Sequence, residues 1–379
     1  MSTHDRHTET SPNAGLPPHH DWLRLGPLVD DPATDVHLVP QRLGRHTFWC
    51  GQSGSGKTYA LGVLLERILL ATRLPVVILD PNSDFVRLDE TKPGADPVTT
   101  AALGERDIAI LRPGDAASPL RVRFTDFSPH AKAAVLRLDP IVDRAEYNAL
   151  LRLTPMLATL EPDSLSPRLR SLDDPDALAL AQRLENLGVL EWTVTWALGN
   201  VPATEVIAQR PAATVLDLGG YDRHEEQLTV ALAVLDDLWT RRAERRPVLI
   251  VIDEAHNLCP TDPETPLGRA VRDRIVQIAA EGRKFGLWLL LSTQRPSKVH
   301  QGVVSQCDNL ALMRMNSRQD LDELASSFGF APEELLRRAT TFRQGEALVA
   351  GGFVPAASII RVRQRLTVEG GSDVPVPLA

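Results

Sequence analysis

No run of apolar residues in this 379-residue chain approaches the roughly 18 that a membrane span requires. The strongest candidates, such as GLWLLLS at 286–292, have the length of one buried strand. The first twenty residues, MSTHDRHTETSPNAGLPPHH, lack the hydrophobic stretch of a secretory signal, so a cytoplasmic location and no membrane partner are expected. Cysteine is scarce. Cys50, Cys259 and Cys307 are scattered without CxxC spacing, which excludes a disulfide framework and a zinc site and leaves buried thiols. Aromatic side chains make up 5% of the chain, which disfavours a channel that grips single strands by base stacking. There is no excess of positive charge either: the net charge of −8 and pI near 5.7 argue against a protein that coats nucleic acid over its whole surface. One segment departs from that balance. Residues 266–300 carry Arg269, Arg272, Arg274, Arg283, Lys284, Arg295 and Lys298 against Asp273 and Glu281, seven minus two, or +5, which suits either a local basic channel or one solvated helix face.

With 43% hydrophobic residues the chain has the material for a substantial core. Residues 1–20, rich in His, Pro, Thr and Ser, are expected to be disordered. From there the pattern changes. HTFWC (46–50) reads as a short strand, KTYALGVLLERILLATR (57–73) has apolar residues at helical spacing, and PVVILD (75–80) is a continuous apolar run of the buried-strand type. Such a unit belongs in a parallel sheet. Further buried-strand candidates are DIAIL (107–111), TVLDLG (214–219), VLIVID (248–253), LWLLLST (287–293) and LALMRM (310–315), separated later in the chain by helical text. The expectation is one doubly wound α/β domain. Its first part spans 21–127 and its remainder 201–365, interrupted by an all-helical insertion at 128–200 that Ser128, Pro140, Pro162, Pro167, Asp174 and Pro175 punctuate. Residues 366–379 form an extended tail without a core of its own, expected to lie on a neighbouring element or subunit.

The strongest chemical signal is GQSGSGKT, a full GxxxxGK[ST] between a strand and a helix. Gly51, Gly54 and Gly56 let the backbone wrap a phosphate, so that with Gln52, Ser53 and Ser55 the loop turns its N–H groups toward the anion; Lys57 reaches the β and γ phosphates and Thr58 offers a hydroxyl to magnesium. Tyr59 follows on the helix and completes the candidate nucleotide-binding stretch. The apolar run VLIVID then brings Asp253 and Glu254 to the C-terminal edge of the sheet, where open α/β sheets bind ligands. Asp253 would hold the metal and Glu254 would polarise the attacking water, although an acidic strand end also caps a helix. LLLSTQRPSK places Ser292, Thr293 and Gln294 at the tip of the adjacent strand, where Gln294 can sense the γ phosphate, or simply begin a loop. LDPNSDF brings Asp80 to the same edge, as a further nucleotide contact or an ordinary Asp-Pro turn.

VIDEAHN has the letters of a DEAH-box helicase, but that machine needs a second nucleotide-sandwiching domain with its own arginine motif. Only 125 residues follow Glu254, and no QRxGRxGR-like stretch occurs among them. His256 is therefore incidental to any helicase code, and the run is a Walker B strand. What the residues resemble is the HerA branch of the HerA/FtsK motor ATPases. The likeness rests on GQSGSGKT, ILDPNSDF, VIDEAHN, the long block AAEGRKFGLWLLLSTQRPSKVHQGVVSQC and the closing GEALV and VRQR strands, and covers about residues 40–365. The resemblance implies a RecA-like P-loop core, ATP and Mg2+ as cofactors, a homohexameric ring, and an active site between subunits completed by a neighbour's arginine. Arg283 in EGRKFG matches that arginine, with Lys284 beside it and Arg295 as the rival; the helix-end position of Arg283 also suits the helix dipole. The stretch before the phosphate loop is shorter than the N-terminal β-barrel of full-length members, so barrel-mediated docking of a nuclease is not expected.

The implied function is an ATP-driven translocase on double-stranded DNA threaded through the ring, with a nuclease or other effector as partner. Two alternatives accompany it: a ring scaffold that regulates an anti-phage defence effector, and a conjugation or secretion pump, which would bring a membrane anchor or docking domain of which the sequence has no sign.

Overall fold

In a computed structural model, residues 22–157, 160, 162–192, 194 and 200–371 are described. The expected disordered tail at 1–20, several positions of the helical region and residues 372–379 of the extended tail lie outside that set. Among the described residues there are eleven strands: β1 Leu23–Pro27, β2 Asp35–Leu38, β3 Thr47–Cys50, β4 Val76–Asp80, β5 Ile108–Leu111, β6 Ala213–Asp217, β7 Val248–Ile252, β8 Leu287–Thr293, β9 Asn309–Met313, β10 Glu346–Gly351 and β11 Ser358–Arg361. Nine form one sheet in the order β11-β10-β9-β3-β8-β7-β4-β6-β5. The run from β9 to β5 is parallel, and β10 and β11 close one edge antiparallel. The α/β reading is thereby met, and each apolar run singled out in the sequence lies on or beside a strand.

Both sheet faces are covered, which is why the central strands read as unbroken apolar runs rather than alternating ones. Parity along the strands assigns the two cores. Leu249, Val251 and Leu290 face the phosphate-loop helix Lys57–Ala71, whereas Ile250, Ile252, Leu289 and Leu291 face the helices His224–Thr240 and Pro266–Glu281. Between β5 and β6 the chain runs through the helices Pro129–Val135, Arg144–Leu157, Pro162–Arg170, Pro175–Leu187 and Ala203–Gln209. All three cysteines are buried and free, as their scattered spacing implied. Among the described residues no helix is long and apolar enough to cross a membrane.

Two features depart from the expectation. The hairpin β1–β2 precedes the first expected strand; its strands are only five and four residues long and packed at the sheet edge, too short to stand out as periodic text. The VRQR segment is not a strand, because β11 ends at Arg361; residues 365–371 instead form an extended strap over the phosphate-loop helix of the same chain. Glu66, fully buried, accepts from Leu366 N at 3.0 Å and from the backbone N and hydroxyl of Thr367 at 2.7 Å. The Arg365 backbone N–H donates to the Tyr59 hydroxyl at 2.7 Å. Gly62 sits mid-helix because the Arg365 side chain crosses there: a Cβ at position 62 would lie 2.6 Å from Arg365 Nε.

Candidate functional site

The P-loop joins β3 to its helix at the C-terminal edge of the parallel strands. Its backbone is tied down on both sides, Gly51 N donating to Thr293 O at 3.3 Å and Gln52 N to Arg314 O at 2.9 Å. Gly51 is required by crowding, since a Cβ there would stand 2.7 Å from the Met313 Cβ. Gly56 is required by conformation: φ of +89° makes the left-handed turn into the helix. The first amides of that helix, from Lys57 onward, lack intrahelical partners and point into the loop, which makes the turn an anion cradle. Beside it lies a cleft of about 600 Å³ lined by Gln52, Ser53, Gly54 and Tyr59 of the loop and helix start, and by Asp84, Gln294, Arg361, Val362 and Glu369 from other parts of the chain.

Lys57 stretches from the loop to the acidic strand end. Its Nζ lies 2.9 Å from Asp253 Oδ1, 3.1 Å from Glu254 Oε1 and 2.9 Å from Ser292 Oγ, all buried. Burial alone would lower the ammonium pKa, but the two carboxylates outweigh it and raise it. Asp253 Oδ2, also buried, has no hydrogen-bond partner. Glu254 adopts a left-handed backbone (φ 43°), a strained conformation for a non-glycine residue of the kind that clusters at functional sites. Gln294 Nε2 donates to Glu254 Oε1 at 2.8 Å, and His256 Nδ1 lies 3.2 Å from Glu254 Oε2 and 3.0 Å from Thr293 Oγ1. Burial would raise the Glu254 pKa, yet His256, Lys57 and Gln294 hold it down to about 2. His256, read in the sequence as incidental to any helicase code, bridges the strand tip to the glutamate.

The turn after β4 supplies more carboxylates. Asp80 is fully buried and accepts from the backbone N–H groups of Asn82, Asp84 and Phe85 at 3.4, 3.0 and 2.8 Å, so it shapes the turn and does not line the cleft. Asp84 does line it, with Thr58 Oγ1 3.5 Å from its Oδ2. Burial, reinforced by the charge of Asp253, pushes Asp80 up to about 7 and Asp84 up to about 6. Asp84, His256, Arg361 and Glu369 escaped sequence reasoning, because only the folded chain brings 84, 256, 361 and 369 to one place; the run DPNSDF, with a second aspartate, was the available hint for Asp84.

Arg283 is elsewhere. It stands in a short turn before β8 begins, at the N-terminal edge of the sheet, whereas β8 reaches the P-loop seven residues later, about 20 Å away at strand rise. There it pairs with Asp308 at 3.4 Å, and Arg45 pairs with the same carboxylate at 3.3 Å. Arg42 and Lys284 line the same concave patch. The structure therefore gathers Lys57, Thr58, Tyr59, Asp253, Glu254 and Gln294 at one sheet edge and sets Arg283 at the other.

A phosphate-wrapping loop at the end of a parallel strand, with acidic and polar strand tips beside it, defines a RecA-like P-loop nucleoside triphosphatase. Among solved structures, VirB4 of Thermoanaerobacter pseudethanolicus matches with a TM-score of 0.62 at 16% identity, covering 91% of this chain and 97% of that one. The bacterial conjugative coupling protein TrwB matches with a TM-score of 0.58 at 14% identity, covering 92% and 91%. At these identities the likeness is one of fold. The family model for the central domain of the helicase HerA matches residues 23–238, and the chain belongs to that family. A DNA double-strand break repair helicase HerA of Pyrococcus furiosus is 23% identical over 394 aligned residues, covering 90% of this chain and 70% of that protein. A probable helicase of Methanocaldococcus jannaschii is 29% identical over 373 residues, covering 93% and 69%. The protein is an ATP-hydrolysing enzyme.

Proposed function

We propose that this ATPase assembles as a homohexameric ring, hydrolyses magnesium-bound ATP between subunits, and moves along double-stranded DNA threaded through the ring, working with a nuclease or another effector protein. The observation that carries the reading is the position of Arg283. A cationic pair on Asp308 at the far edge of the sheet serves no phosphate of its own chain, which supports a role toward a neighbour's. The family relatives described as DNA double-strand break repair helicases support the DNA substrate.

In this reading the loop amides hold the phosphates, and Lys57 leaves the two carboxylates for the β and γ oxygens. Thr58 Oγ1 and the orphaned Asp253 Oδ2 suit a divalent cation, since a buried carboxylate oxygen without a donor is a ligand position. A magnesium ion held there would supply charge neutralisation for the phosphates. Once Lys57 has moved, Glu254 loses its nearest cation and becomes a stronger acceptor for the proton of the attacking water, with Gln294 aligning it. Arg283 of the adjacent subunit stabilises the charge on the transferred phosphoryl group, an effect on the order of 10³ to 10⁵ in rate. Arg295 and Lys298, in the loop beyond β8, contact DNA phosphates, which position but do not specify.

The trans assignment is tested by mixing. Arg283→Ala and Glu254→Gln should each abolish hydrolysis, while a mixture of the two should regain activity because about a quarter of the interfaces pair an intact glutamate with an intact arginine. A mixture as dead as its parts, or a protein that stays monomeric with nucleotide, sinks the ring. The DNA assignment is tested by hydrolysis with and without duplex: stimulation at low salt should fade as salt rises, and indifference at low salt would overturn it.

A further inference from the structure

We propose that Asp84 is a ligand, directly or through a metal-bound water, of the divalent cation that accompanies the nucleotide, sharing it with Thr58 and Asp253. The proposal rests on the reading of the cleft as a metal–nucleotide site.

One oxygen each of Asp80, Asp84 and Asp253 lies within 4.8 Å of the others. Three carboxylates in a mostly buried corner repel one another strongly, and a cation is the natural resolution. The three are not equivalent. Asp80 spends both oxygens on the N–H groups of its own turn. Asp253 gives Oδ1 to Lys57 and leaves Oδ2 buried and unpartnered. Asp84 lines the open cleft, and its Oδ2 is 3.5 Å from the hydroxyl of Thr58, the residue that a P-loop assigns to the metal.

The backbone holds Asp84 in that pose from two sides. Asp80 grips the turn from inside, and Ser83 Oγ donates to Asp217 at 2.6 Å. From outside, the strap bonds Gly370 N to Asp84 O at 3.1 Å and presses Gly371 against the side chain, where a Cβ would stand 2.7 Å from Asp84 Oδ1. Supporting groups that orient a ligand in this way commonly change metal affinity by 10- to 100-fold when lost.

The test compares the full-length protein with Asp84→Asn and Asp84→Ser, using a non-hydrolysable ATP analogue. Affinity is measured in Mg2+ and again in EDTA, and Mn2+ binding to the analogue-bound protein is followed by electron paramagnetic resonance. With metal, both variants should bind the analogue about tenfold more weakly and need about tenfold more Mn2+ for half-saturation. In EDTA they should bind it as well as the wild type or better, because a negative charge facing the triphosphate has gone. Equal weakening with and without metal would show a structural role and overturn the proposal, as would no weakening in either. If Asp84→Asn melts early, Asp84→Ser decides the comparison. A wild-type protein that fails to bind the analogue at all refutes the nucleotide reading underneath.

Discussion

Replacing Lys57 by methionine should damage the fold itself as well as the chemistry, and the size of the effect follows from the contacts of its ammonium group. The ammonium is 4% exposed and neutralises Asp253 at 2.9 Å and Glu254 at 3.1 Å, which are 0% and 5% exposed. Methionine keeps the volume of the side chain but leaves two buried carboxylates facing each other without that cation. Removing one partner of a buried ion pair costs about 3–5 kcal/mol, so Lys57→Met should fall by that amount in urea denaturation carried out in EDTA without nucleotide. Adding Glu254→Gln to Lys57→Met removes one of the stranded charges and should return about 2 kcal/mol, a coupling typical of residues in direct contact. Magnesium should stabilise Lys57→Met more than it stabilises the wild type. If Lys57→Met unfolds at the wild-type urea concentration in EDTA, the three-way contact of Lys57, Asp253 and Glu254 is not a feature of the free protein. The account of Glu254 activation by departure of Lys57 would fall with it.

Glu254→Gln should retain nucleotide while its hydrolysis rate falls about 10²- to 10⁴-fold, the usual contribution of a general base, as read by single-turnover hydrolysis beside a binding titration. His46 gives a pH prediction. Leu289 N donates to its Nδ1 at 2.9 Å, so Nε2 carries the proton and donates to Ala279 O at 3.1 Å. Burial lowers its pKa from 6.5 to about 4. The ring folds neutral, so its contribution is complete above pH 6.5 and is lost as pH falls from 6.5 toward 4. The loss amounts to about 3 kcal/mol, and His46→Gln should flatten that limb of a stability–pH curve while being less stable than the wild type at pH 7. Gly62→Ala should destabilise the protein although alanine is the better helix former by about 1 kcal/mol, because its Cβ intrudes on the buried Arg365; trypsin should then cut the strap near Arg363 and Arg365 sooner than in the wild type.

Much of the sheet was legible because its strands are buried on both faces. PVVILD, VLIVID and LWLLLST are uninterrupted apolar runs, and each became β4, β7 or β8 within a residue or two. The phosphate loop was legible for a different reason: its glycines answer local demands, crowding at Gly51 and a positive φ at Gly54 and Gly56, that hold wherever the loop is placed. What escaped was set by contacts between distant segments. LALMRM ran on past the true end of β9 at Met313, since Arg314 turns away to receive Gln52. Asp80 could be read from the sequence as a nucleotide contact or as an ordinary Asp-Pro turn, and only the fold shows both its oxygens accepting from the N–H groups of that turn. The tail was expected to lie on a neighbouring element or subunit, but which one was hidden, because nothing local in Leu366 or Thr367 reveals that Glu66, 300 residues away, is buried to receive them.

The sequence by itself determined that a triphosphate loop would sit between a buried strand and a helix, and that two acids would end a neighbouring strand. Those features depend on backbone conformation and on alternation along a few residues, which are local. The tertiary structure alone decided which carboxylates meet beside the phosphate loop, that His256 joins Glu254, that the strap lines the cleft, and that Arg283 stands at the opposite sheet edge. Strand order and register decide those proximities. They arise from how whole layers pack, and no short stretch of residues encodes them.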